Sequence, residues 1–215
     1  MKFKFYALQL TAICVLVFIL QVSIPNFTEL FLLNSFAYKE IWRFLTSIFL
    51  HGSLAHLLYN SFALALFGSI LEKFIGEKRF LAIFFLTGIL ANIIAVNFYN
   101  ASLGASGAIF GVIGALIVIR PMLLIWAFGL PMPIFVAGVL WATLDFIGIF
   151  VPSNVGNIAH LAGMFLGLLF GLFLRKRRFR RQKFIRNESV LDENKIRSWK
   201  DRYLSNHRHS YSILF

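Results

Sequence analysis

The chain has 215 residues, 59% of them hydrophobic and 14% charged, with a mean hydropathy of +0.78 and a formal net charge of +12. That balance excludes a soluble globular domain and indicates a membrane protein. The single cysteine, Cys14, excludes an intramolecular disulfide and a thiolate metal cluster.

Apolar runs at 5–23, 54–71, 80–97, 106–119, 132–150 and 157–174 predict six membrane helices, spans one to six, in an all-α polytopic bundle. Span one follows Lys2 and Lys4 as a signal peptide would, but it lacks a small-residue cleavage site and runs on to a Pro25-Asn26 turn, so it is read as retained. The first outer loop, 24–53, mixes Phe27, Leu30, Phe31, Phe36 and Trp42 with few charges and is expected to lie partly embedded at the interface. Lys73, Lys78, Arg79, Arg120 and the basic tail fall on one side, against Lys39 and Arg43 on the other. The excess of positive charge makes both termini cytoplasmic, most simply in the cell membrane. This divides the chain into a six-helix domain at 1–178 and a basic cytoplasmic tail at 179–215. The run Arg175-Lys176-Arg177-Arg178 directly follows an apolar span and is read as meeting anionic headgroups rather than nucleic acid.

Spans two, four and six then run from outside to inside, so His56, Asn60, Ser106 and His160 reach similar depth near the outer face. Span four has 14 residues. At about 1.5 Å per residue it covers roughly 21 Å of a hydrocarbon core about 30 Å thick. Anchored at its inner end by Arg120, it leaves Ser106 sunk about 9 Å below the outer boundary, reached by non-helical chain that must line a wet cavity.

On span six, His160, Gly163, Gly167 and Gly171 share one helix face, and span four carries Gly107, Gly111 and Gly114. Small residues on both sides let two membrane helices approach closely. That approach would bring the His160 imidazole within about 3 Å of Ser106, the reach that general-base activation of a nucleophile needs. Gly104 and Gly107 permit a tight turn beside Ser106. His56 and Asn60, spaced i,i+4, both donate hydrogen bonds. With the N–H groups at the start of span four they would form an oxyanion hole. Zinc binding by His51 and His56 is the competing reading, disfavoured because no HExxH glutamate follows and no third ligand is evident. Asp145, alone in an apolar helix, lacks the second carboxylate of an aspartyl mechanism and is expected to satisfy neighbouring donors rather than to complete a triad. Glu72 is expected to pair with Lys73 or Arg79, and Trp42-Arg43 to anchor the first loop at the headgroups.

Trp42-Arg43, the H-x4-H-x3-N pattern of His51, His56 and Asn60, the G-x-S-G of Gly104 to Gly107, and the A-H-x-x-G of Ala159 to Gly163 occur in this order. In these residues the chain resembles the rhomboid intramembrane serine proteases, over nearly the whole membrane region. The resemblance implies a six-helix core with a Ser-His dyad, Ser106 as nucleophile and His160 as general base. His56, Asn60 and the Ser106 N–H would stabilise the oxyanion, and His51 would support a water-filled cavity. It further implies transmembrane protein substrates entering between spans two and five near Tyr59, cleaved near the outer leaflet, and no metal or cofactor. Phe110 stands where the family often has tyrosine and can still stack on His160. No soluble domain is expected ahead of span one, and a basic tail follows span six. The rival readings are a catalytically silent helix-binding relative, against which the intact Ser106 and His160 argue, and a small transporter, which would show repeated halves.

Overall fold

The computed structural model describes residues 4–151 and 155–208, with side chains for 4–151, 155–176 and 193–202. Lys2, the side chains of Arg177 and Arg178, and the tail beyond Arg208 lie outside the described residues, so the headgroup expectation is untouched by them. Two compact units are formed, Met1–Leu172 and Phe173–Phe215.

The main helices that begin in the first unit are α1 (Tyr6–Ser23), α2 (Leu54–Ile75), α3 (Glu77–Ala95), α4 (Ser106–Ile119), α5 (Ile134–Gly148) and α6 (Asn157–Arg208), the last of which runs past this unit's end at Leu172. α1, α2, α3 and the Asn157–Lys176 stretch of α6 are long and apolar enough to cross a membrane. With 14 and 15 residues, α4 and α5 are shorter. Nine of the 14 residues of α4 are buried, which makes it the centre of the bundle rather than a lipid-facing helix.

Glycines set the distance between α4 and its neighbours. A side chain at Gly163 would collide with the carbonyl oxygen of Gly107, and one at Gly167 with that of Gly111. On the other flank, Gly111 leaves room for Thr87 of α3. Backbone-to-backbone contact of this kind draws α6 onto α4 by dispersion where no hydrophobic force operates between helices.

Two buried charged residues contradict their expected roles. Glu72 does not reach Lys73 or Arg79. Its carboxylate accepts from the N–H groups of Tyr6 and Ala7, at 3.0 Å each, and so caps α1, where the orphan donors and the positive end of the helix dipole attract a negative charge. Arg43 turns inward rather than to the headgroups. It pairs with Glu40 and donates to the carbonyls of Glu29 at 2.7 Å and Leu32 at 2.9 Å, because the tightly wound loop would otherwise bury those acceptors unsatisfied. Trp42 is 49% exposed.

The first loop is therefore built, not loose. It contains short helices at Phe27–Phe31 and Arg43–Thr46, and β1 (Leu33–Asn34) pairs antiparallel with β2 (Ala101–Ser102). Gln21 exchanges two hydrogen bonds with the backbone of His51, and Asn92 of α3 donates to Phe44 O and Ser47 Oγ. The all-α expectation needs one more correction. After α4 comes a hairpin of β3 (Leu124–Ala127) and β4 (Leu130–Pro133), turning at Phe128 and Gly129, both at positive φ. That turn matches the twist of the strands.

Candidate active site

Ser106 is the first residue of α4, and Gly104 shapes the turn ahead of it. Gly104 has φ +126°, and a Cβ there would lie 2.7 Å from His56 Cε1. Glycine is thus required twice, by the backbone and by the imidazole against it. The Gly104 N–H donates to Ser47 O at 2.8 Å, tying this turn to the first loop. No side chain caps α4, so its first-turn N–H groups and dipole are directed at the space in front of Ser106.

His160 lies in the first turn of α6, which is held in place where Ile158 N–H donates to the hydroxyl of Tyr99 at 3.0 Å. Its Nε2 is 2.8 Å from Ser106 Oγ, and its Nδ1 is 2.9 Å from Asp145 Oδ1. The ring lies flat on Phe110, with centroids 4.4 Å apart and planes 5° from parallel. Serine, histidine and aspartate thus line up, contributed by α4, α6 and α5. Asp145 does satisfy a neighbouring donor, and that donor is the imidazole of His160.

His56 opens α2 behind the cap of Ser53, whose hydroxyl accepts from His56 N–H at 3.1 Å. Asn60 follows one turn later on the same face and donates to the His56 carbonyl at 2.9 Å. His51 packs edge-on against His56, centroids 5.1 Å apart, with Nδ1 3.2 Å from Phe49 O. Burial, and secondarily the neighbouring His56, push the His51 pKa down to about 4, so the ring is neutral at pH 7. Among the described residues its Nε2 has no hydrogen-bond partner, and no three His, Cys, Asp or Glu side chains converge as a metal set.

A cavity of about 1030 Å³ joins these groups. It is lined by His56, Asn60, Ser106, Phe110 and His160, and also by Tyr59 of α2 and Trp141 of α5. Tyr59 is 77% exposed. Gly107 and Gly163 stand back to back beneath the Ser106–His160 pair. Sequence reasoning missed the Asp145–His160 bond and the Tyr99 anchor. The one available signal was an aspartate stranded among apolar residues.

The family description "Rhomboid domain" matches residues 38–177. Rhomboid protease GlpG of Haemophilus influenzae is 30% identical over 179 residues, covering 80% of this chain and 91% of that protein. Rhomboid protease GluP of Bacillus subtilis is 38% identical over 136 residues, 61% of this chain and 25% of that protein. Rhomboid protease GlpG of Yersinia pseudotuberculosis is 26% identical over 171 residues, 77% of this chain and 61% of that protein.

Proposed function

This chain belongs to the rhomboid family as an integral membrane peptide hydrolase, and we propose that it cleaves transmembrane-helix substrates with Ser106 as nucleophile and His160 as general base. The 2.8 Å Ser106–His160 contact, at the wall of a cavity lined also by Tyr59 of α2 and Trp141 of α5, is the observation that carries this reading.

In the proposed reaction Ser106 Oγ attacks the carbonyl carbon of the scissile peptide while its proton passes to His160 Nε2. The oxyanion is received by the Ser106 N–H and by His56 and Asn60, donors fixed before the charge develops. Breakdown of the tetrahedral intermediate breaks the C–N bond, and His160 returns the proton to the leaving amine. An ester at Ser106 remains. Water, deprotonated by His160, then attacks the ester and frees the acid and the enzyme.

Six spans fit this chemistry, with α4 and α5 the short ones, both termini cytoplasmic and the chain in the cell membrane. Ser106 then lies toward the outer leaflet, and substrate enters between α2 and α5. The tail at 179–215 meets anionic headgroups. The proposed residues should reveal themselves to a fluorophosphonate. Mass spectrometry of the treated full chain is expected to place one adduct on Ser106, lost in His160→Ala. An adduct that survives in His160→Ala, or none on Ser106 under conditions where the protein is folded, contradicts the assignment.

A further inference from the structure

Asp145 sits on an otherwise apolar helix whose neighbours Leu144 and Phe146 are 55% and 58% exposed, yet the aspartate itself is only 7% exposed. A carboxylate in such a setting is costly unless paired. Its hydrogen bond goes to His160 Nδ1 at 2.9 Å, opposite the ring nitrogen that faces Ser106. An ionised carboxylate can only accept, so the ring nitrogen beside it must carry the proton. The proton on Nδ1 leaves the Nε2 lone pair free to accept from Ser106. Phe110 fixes the plane of the ring, but a flat aromatic face does not choose between the two tautomers or the two flipped orientations. The carboxylate chooses both.

We propose that Asp145 is a positioning residue for the reaction: it holds His160 as the Nδ1–H tautomer and balances the imidazolium formed when Nε2 takes the Ser106 proton. This rests on Ser106 being the nucleophile. No proton passes to Asp145; the imidazolium keeps Nδ1–H and gives up the proton from Nε2. Among the described residues, the other titratable side chains lining the cavity are His56 and Tyr59 of α2 and Tyr99, whose hydroxyl is already committed to Ile158 N–H.

The test uses the full chain in lipid nanodiscs and a fluorophore-tagged fluorophosphonate, which needs no knowledge of the substrate. Ser106 Oγ attacks phosphorus, the P–F bond breaks, fluoride leaves and the proton goes to His160. Saturation kinetics of labelling separate the maximal rate from the apparent binding constant. Asp145→Asn and Asp145→Ala are expected to lower the maximal rate by about 100-fold or more, with the binding constant within about two-fold, as expected when an aspartate that orients a catalytic histidine is lost. NMR of ¹⁵N-histidine-labelled protein, with His160 assigned by its loss in His160→Gln, is expected to report Nδ1–H in the wild type and its loss in Asp145→Asn. A purely structural role would leave that tautomer unchanged in folded Asp145→Asn. Wild-type His160 found as the Nε2–H form overturns the proposal without any variant having to fold. So do Asp145 variants labelling at the wild-type rate while Ser106→Ala and His160→Ala abolish labelling. Labelling that survives Ser106→Ala refutes instead the nucleophile on which the proposal rests.

Discussion

Gly104 shows how much a single backbone position decides. Its φ of +126° disfavours every L side chain, and the His56 ring occupies the place of a Cβ. Gly104→Ala therefore combines backbone strain of about 1–3 kcal/mol with displacement of a proposed oxyanion donor. Its labelling rate is expected to fall about 10-fold or more with the fold retained; an unchanged rate would show that His56 is not needed where it sits. His51 gives a pH signature. The unfolded chain takes up its proton near 6.5 and the folded protein near 4, so between these values the unfolded state binds more protons. The contribution of His51 is full above pH 6.5 and is lost as pH falls toward 4. Melting temperature in detergent is expected to drop over that window by more in the wild type than in His51→Gln; parallel curves would contradict this. The Gly104-Ala105-Ser106-Gly107 run of small residues makes this turn conspicuous in the sequence. Asp145 was conspicuous too, but its partner lies 15 positions away on the next helix, and no helical spacing relates the two.

Among the elements, α4 is the one whose length and composition speak most directly. Fourteen residues with glycines at 107, 111 and 114 describe a short helix meant to be touched from several sides, and glycines at 163, 167 and 171 give α6 the face that touches it. Gly167→Val would drive a branched side chain into the carbonyl of Gly111. It is expected to cost about 3 kcal/mol or more and to part Ser106 from His160. Loss of both thermal stability and labelling is the expected outcome; a variant as stable as the wild type would mean that α4 and α6 are not held by this contact. Where the sequence reading failed, side-chain direction was the missing knowledge. Spacing alone placed Glu72 beside Lys73 and Arg79, whereas the tertiary fold supplied a stronger site in the bare N-terminus of α1. The position of Arg43 beside Trp42 points to the headgroups, but the carbonyls of Glu29 and Leu32 give its guanidinium better partners. The β3–β4 hairpin was illegible for a related reason. Its strands are as apolar as the helices around them, and its turn depends on the positive φ of Phe128, which composition does not record.

At the scale of the molecule, membrane character follows from hydropathy and family membership from the order of four short motifs, each weak alone. The long-range problem the fold solves is to sink a polar site among apolar helices. It does so with α4 too short to fill a bilayer, a first loop stitched to α3 and to the Gly104 turn, and a cavity bounded by α2 and α5. On the proposed function, the cavity is the route by which water reaches Ser106. The measurement that bears most directly on this account is hydrolysis itself. Purified full-length chain, reconstituted in liposomes with a single-span reporter helix bearing small and helix-destabilising residues near its outer end, is expected to cut the reporter within the span on the outer-leaflet side, and Ser106→Ala and His160→Ala are each expected to abolish the cut. Cleavage that persists in folded Ser106→Ala, or a wild-type protein that binds the helix and leaves it whole, would contradict the account.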